Sequence, residues 1–165
     1  MRTALHLRQA AIAMIAASFA SPLQAEAGRD FREEVVFTGW LRVEDRNVND
    51  VVIAVEVADQ CLYAEVLPSG RFIIVVPAGS QARLAFFKPG HLTKEVELDT
   101  RNSMPTRKAA RANSTVKFDV VLEPEQKRPG RRYDGPVGSL AFNKGTGSTK
   151  VRHTLNVVAD DRTKR

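Results

Sequence analysis

Cys61 is the only cysteine in the chain, and with His91 or His153 it would supply the nucleophile and base of a thiol hydrolase. No nucleophile signature surrounds Cys61, and no residue pattern orients a histidine toward it. A lone cysteine beside a strand is more often a small buried hydrophobe. The sequence therefore favours a non-enzymatic protein, with a small secreted hydrolase using Cys61 as the alternative.

Four oxygen-bearing side chains follow the spacing of a calcium loop, with Asp45, Asn47, Asn49 and Glu56 at ligand positions 1, 3, 5 and 12. The loop requires glycine at position 6, where this chain has Asp50, and Glu56 falls inside a strand-like run. The pattern therefore predicts a polar turn in which Asx side chains cap the backbone. No His or Cys spacing suits zinc either, so the sequence indicates no metal and no cofactor.

Lysine and arginine are concentrated in two segments, residues 101–111 and 127–132. The candidate contacts for an anionic partner are Arg101, Arg107, Lys108, Arg111, Lys127, Arg128, Arg131 and Arg132. Charge alone gives non-specific attraction, and the scarcity of aromatic residues in both segments argues against nucleic acid. We expect solvated, flexible connections, and binding of a polyanion through them is a second alternative function.

Trp40 is the only tryptophan, and its ring is suited to stack on a sugar. A tryptophan within a core strand is more often buried, so the sequence predicts burial rather than a sugar platform. Gly39, directly before it, interrupts the same strand-like run and indicates a bulge or a close approach of another backbone segment.

The elements that must position these residues are short apolar runs that alternate with polar residues and end at Pro or Gly. This pattern predicts β-strands rather than helices. The predicted strands cover residues 35–43, 51–57, 61–67, 71–76, 82–86, 95–99 and 116–122. Residues 99–113 show no periodicity and are expected to form a mobile connection. Seven short strands with frequent turn signals predict an all-β, antiparallel sandwich.

The central stretch also resembles the carboxypeptidase regulatory-like domain. The residues that carry the resemblance are Gly70-Arg71-Phe72, the Pro77 step, the run from Leu84 to His91 and the charged strand from Lys94 to Thr100. His91 departs from the pattern, because an aromatic residue usually follows the glycine there. The resemblance covers roughly residues 35–122 and implies a seven-stranded Greek-key sandwich of the prealbumin-like type. It also implies an accessory module rather than a catalytic domain.

Residues 1–27 have the organisation of a signal peptide. Arg2 and Arg8 precede an apolar run over residues 10–20, and Ala25-Glu26-Ala27 offers a small-x-small cleavage site. Cleavage after Ala25 and an uncleaved N-terminal anchor are the alternatives. No later run is apolar enough to span a membrane. The chain, with a formal net charge of +6, is thus expected to be exported to the periplasm or secreted.

The predicted organisation is a signal peptide (1–27), a β-sandwich (28–123) and a basic, partly flexible C-terminal extension (124–165). Residues 137–142 form a further candidate strand within that extension. The predicted function is that of a non-enzymatic cell-envelope protein whose sandwich binds a protein or glycan partner. Strand addition at an open sheet edge and contact through the end loops are the two mechanisms available to it.

Overall fold

The computed structural model describes residues 34–160, so the predicted signal peptide lies outside the described residues. Within this range about half of the residues lie in β-strands and only six in an α-helix, which confirms the all-β class. The strands are β1 (Glu34–Arg42), β2 (Val52–Val57), β3 (Gln60–Ala64), β4 (Arg71–Pro77), β5 (Gln81–Phe87), β6 (Lys94–Asp99), β7 (Thr115–Lys117), β8 (Val120–Val121), β9 (Arg131–Tyr133), β10 (Gly138–Phe142), β11 (Thr149–His153) and β12 (Val157–Ala159). One helix, α1 (Arg107–Ala112), and a 3-10 turn (Glu125–Lys127) complete the fold.

The strands form two main sheets. The smaller sheet has the order β4-β1-β7, and β8 continues alongside β1 beyond β7. The larger sheet has the order β11-β10-β6-β5-β2-β3, and β9 pairs with β12 in a separate ribbon. The hairpins β2–β3 and β5–β6 are antiparallel, as is the pair β1–β4.

The alternation read from the sequence places one face of each strand in a shared core. In β4, for example, Phe72 and Ile74 are buried whereas Ile73 and Val75 face outward. The ring of Phe72 meets that of Phe86 on β5 edge to face, with centroids 5.6 Å apart. Because these two rings belong to different sheets, the sheets pack against each other through a single apolar cluster.

Three strand pairs are parallel, whereas the sequence predicts antiparallel pairing throughout. β1 pairs in parallel with β7 and with β8, and β6 pairs in parallel with β10. Parallel neighbours need a long crossover rather than a tight turn. The chain between β6 and β10, which passes through α1, β7, β8 and β9, supplies such a crossover.

The segment from 99 to 113 is a folded crossover, not the mobile connection that the sequence predicts. The Thr106 side chain caps α1 by accepting a hydrogen bond from the Ala109 amide (3.1 Å). Asn113 is buried, and its Nδ2 donates to the carbonyl oxygens of Ser103 (2.6 Å) and Gly147 (2.7 Å). The sequence shows no helical periodicity in this segment because α1 has only six residues, fewer than two turns.

The chain beyond residue 123 also differs from the predicted flexible extension. The candidate strand at 137–142 is present as β10, and its Leu140 and Phe142 side chains belong to the main core. The linker region carries β9, whose Tyr133 is buried with Leu92 and Val137 in a small second cluster. The extension is thus packed against the domain rather than separated at residue 123.

Candidate functional site

Strand β4 has an open edge. β1 pairs with it on one side, while on the other side Val66 forms only an isolated bridge opposite Phe72. From Ile73 to Pro77 this second side has no strand partner within residues 34–160. An unpaired edge presents free backbone N–H and C=O groups to which another chain can add a strand.

Apolar side chains accompany this edge on the outer face of the smaller sheet. Ile73 is 49% exposed, Val75 is 47% exposed, and Trp40 on the adjacent β1 is 46% exposed. The predicted burial of Trp40 is therefore wrong. Val35, Phe37 and Leu41 occupy the core face of β1, so alternation turns Trp40 outward and leaves the core-facing position beside it to Gly39.

The β4 edge lacks the features that usually protect exposed strands, such as an inserted lysine, a central proline or a bulge. Its residues from Ile73 to Val76 are β-branched and uncharged, and only Arg71 and Pro77 flank them. We call the outer side chains Trp40, Ile73 and Val75, together with the backbone of residues 73–76, which has no strand partner on the open side, the β4 edge surface. Sequence reasoning missed it, although the uncharged run before Pro77 was its visible signal.

The predicted basic contacts lie on several different elements, and three of the eight pair with carboxylates. Arg101 binds Asp99 with its Nη2 2.6 Å from Oδ2. Lys127 Nζ lies 2.9 Å from Glu44 Oε2, and Arg128 Nε lies 3.0 Å from Glu123 Oε1. The remaining five are exposed: Arg107, Lys108 and Arg111 on α1, and Arg131 and Arg132 on β9. Because three of these basic residues already form salt bridges and the rest lie on separate elements, the eight residues do not form a single anion-binding site.

A polar network fastens β9 to the larger sheet. Glu123 accepts hydrogen bonds from Arg128 Nε and from the Tyr133 hydroxyl (2.9 Å). The bond from Arg128 lowers the pKa of the Glu123 carboxyl, and burial raises the pKa of Tyr133 to about 12. The Lys94 ammonium lies 5.3 Å from the centre of the Tyr133 ring. Arg128, a predicted partner contact, is thus used inside the fold.

Cys61 is exposed on the edge strand β3, so its predicted burial is wrong. β3 and β11 are opposite edges of the larger sheet, which places Cys61 and His153 about 24 Å apart at the usual strand spacing. Cys61, Glu56 and Arg83 lie side by side across β3, β2 and β5. His91 follows the other end of β5, in the connection to β6, and is therefore also distant from Cys61. Neither histidine is positioned to act as a base for this thiol.

The predicted Asx turn at residues 45–49 is confirmed. Asp45 Oδ1 accepts a hydrogen bond from the Asn47 amide (3.0 Å), and Asn47 Oδ1 accepts one from the Asn49 amide (2.9 Å). Glu56 lies in β2 opposite Cys61, away from that turn. In the described part of the chain no three His, Cys, Asp or Glu side chains are grouped closely enough to hold a metal ion.

Comparison with protein-family models and with curated proteins gives no match for this chain. The resemblance of the central stretch to the carboxypeptidase regulatory-like domain therefore stays a sequence-based prediction. Between residues 34 and 160 no helix has the length and apolar character needed to cross a membrane.

Proposed function

We propose that this is an exported, non-enzymatic binding module of the cell envelope whose partner is a protein that adds a β-strand to β4. The observation that carries the proposal is the β4 edge surface, in which an unpaired, uncharged strand edge borders exposed apolar side chains. Export is supported by the signal-peptide organisation of residues 1–27. The absence of a base near Cys61, among the described residues, favours binding over hydrolysis.

The domain itself we propose to be a prealbumin-like, carboxypeptidase-regulatory-like sandwich with an added C-terminal part. The antiparallel hairpin β5–β6 and the common core of the two sheets, to which β4 and β5 contribute from opposite sides, support this assignment. The parallel additions, β7 and β8 beside β1 and β10 beside β6, depart from a seven-stranded antiparallel plan.

Recognition by strand addition divides affinity and specificity between backbone and side chains. Main-chain hydrogen bonds to residues 73–76 would supply affinity, and alternate side chains of the incoming strand would lie beside Ile73 and Val75. Cross-strand pairs of β-branched and aromatic residues stabilise such a sheet. The incoming segment should therefore be extended and apolar at alternate positions, with an acidic residue near the exposed Arg71.

Lysine substitution on the edge tests this proposal, because edge lysines disfavour strand addition. The mature protein, with V75K as the test variant and V52K as the control, is used to capture partners from envelope extract at low and at high salt. Val52 is a suitable control because it is exposed on a central strand of the other sheet. We expect capture at high salt by the wild type and V52K, and its loss in V75K.

Hydrogen exchange then distinguishes strand addition from other contacts. Binding of the captured protein should slow amide exchange within residues 73–76 and leave β3, the edge of the larger sheet, unchanged. Capture that disappears with salt and is indifferent to V75K would overturn the proposal and move binding to the basic residues. Protection of residues 73–76 in the protein alone at high concentration would identify a second copy of the chain as the occupant.

A glycan partner is the second candidate, favoured by aromatic rings on the outer face of the larger sheet. Tyr63 is 76% exposed and pairs with Ala54 of β2. The exposed Phe87 pairs with Val52, two residues earlier on β2 and on the same face of the sheet. Flat exposed rings of this kind can stack on sugar faces. Co-sedimentation with isolated envelope polysaccharide tests it: Y63A should abolish binding and V75K should not, whereas equal binding by Y63A excludes this face.

A further inference from the structure

The two sheets differ in width, and the larger one extends past the smaller one at β10 and β11. By register, Thr149, Val151 and His153 of β11 lie on the core-facing side, opposite Phe142, Leu140 and Gly138. No strand of the smaller sheet covers them, and Val151 is 54% exposed. The gap between the β10–β11 hairpin and the β7–β8 edge is a cleft of about 320 Å³.

The walls of this cleft are apolar and its rim is basic. Phe118 and Val120 form one wall and Val96 and Leu140 the other, while the exposed Val121, Val151 and Leu155 surround the mouth. The rim carries Lys94, Lys117, Arg152 and His153. Its one carboxylate, Asp119, is already used by the Arg42 side chain and the Trp40 amide. A ligand would thus meet an apolar slot with a positive entrance.

Two of the basic side chains, Lys94 and His153, mark one end of the slot. Val96, Gly138 and His153 form one row across the sheet, and Lys94 lies two residues before Val96 on the same, core-facing side of β6. Lys94 is half-buried, and its ammonium lies over the Tyr133 ring. The Glu123 carboxylate acts on Lys94 electrostatically but makes its direct contacts with Arg128 and Tyr133. Burying an ammonium without a direct ion pair is costly, and burial lowers the pKa of Lys94 more than the Glu123 charge raises it.

We propose that the cleft binds a single-chain amphiphile with an anionic headgroup, its acyl chain between β7–β8 and β10–β11 and its headgroup at Lys94 and His153. The slot lies at the lower end of the range of small-molecule sites, about 300–1,000 Å³, which suits one acyl chain rather than a two-chain lipid or a glycan. The anionic headgroup adds the direct ion pair that Lys94 does not make with Glu123. This site is separate from the β4 edge surface.

Calorimetric titration of the mature protein with dodecanoate, below its micelle concentration, tests the proposal. We expect saturable binding of one molecule, with the neutral alcohol dodecanol binding about tenfold more weakly because it cannot pair with Lys94. Dodecyl phosphate and lysophosphatidylglycerol are titrated as further ligands, since a carboxylate and a phosphate headgroup share the required negative charge. Tighter binding of either phosphate-bearing ligand than of dodecanoate would show that the site prefers a phosphate headgroup to a carboxylate.

Two variants separate the headgroup contact from the slot. K94Q should weaken dodecanoate about tenfold and leave dodecanol unchanged. V151W, at the exposed mouth, should block both ligands, while V52W on the other face should block neither; thermal unfolding checks that each variant is folded. Absence of dodecanoate binding in the wild type, equal affinity for dodecanol, or full binding by V151W would each overturn the proposal.

Discussion

The carbonyl oxygen of Phe118 lies 1.6 Å from the position that a β-carbon on Gly39 would occupy. Between β7 and β8 the chain passes over β1 at this glycine, and the Phe118 amide donates to the Thr38 carbonyl (3.1 Å). The Trp40 amide, just beyond, donates to Asp119 Oδ1 (3.0 Å) instead of to a strand. The close backbone approach that Gly39 indicates in the sequence is confirmed, and the Phe118 wall of the cleft depends on it.

Replacing Gly39 with alanine should therefore displace Phe118 and Asp119 from β1. Overpacked sites typically lose about 1–3 kcal/mol, and G39A should fall at the upper end because a backbone atom, not a flexible side chain, is in the way. Urea unfolding measures the loss. Gly138 provides the control, since an added β-carbon there would lie 3.3 Å from the Arg152 carbonyl oxygen; an equal loss in G138A would contradict the explanation.

The sequence predicted those features that depend on local alternation and turn chemistry. The strands β4, β5 and β6 and the Asx turn at Asp45 follow directly from residue type and spacing. The same reasoning failed for Trp40 and Cys61, because exposure depends on which face or edge a strand presents after the sheets assemble. An edge strand such as β3 leaves its side chains exposed regardless of their hydrophobicity.

The sequence also did not predict long-range polar contacts. The crossover through α1 is held by Asn113, whose two hydrogen-bond acceptors, Ser103 and Gly147, lie on different segments. The β4 edge surface and the cleft likewise arise from sheet order and sheet width, which residue spacing does not encode.

Asn113 gives a test of that crossover. N113D keeps the shape of the side chain but removes the donor, leaving two carbonyls unpaired and adding a buried charge. A buried unsatisfied polar group costs about 1–3 kcal/mol, and more when charged, so we expect a loss of at least that size in urea unfolding. N156D changes an exposed asparagine and should be near neutral. Equal stability of the two variants would mean that residues 99–113 do not require this contact.

The Glu123 network predicts how stability depends on pH. The hydrogen bond from Arg128 holds the pKa of the carboxyl below its usual value of 4.5. A group with a depressed folded-state pKa stabilises the fold above its unfolded value, and this stability disappears as pH falls through the folded value. The wild type should thus lose stability below about pH 4.5.

The matched variant E123Q should lose less stability between neutral pH and that acidic range than the wild type. Some acid sensitivity will remain in it, because Arg101 lowers the pKa of Asp99 in the same way. E125Q, on the exposed 3-10 turn, is the control. Thermal unfolding across pH 3–7 measures the slopes, and parallel curves for E123Q and the wild type would exclude a contribution from Glu123.

The packing of the C-terminal part predicts that residues 28–123 will not form a stable domain alone. Deleting residues 124–165 removes Leu140 and Phe142 from the core and leaves the edge of β6 unpaired. Removing large buried side chains costs about 2–5 kcal/mol each, which approaches the whole stability of a small domain, about 5–15 kcal/mol. The truncated chain should be unfolded or aggregated, as judged by amide NMR dispersion and sedimentation. A well-folded 28–123 fragment would instead restore the domain boundary at residue 123.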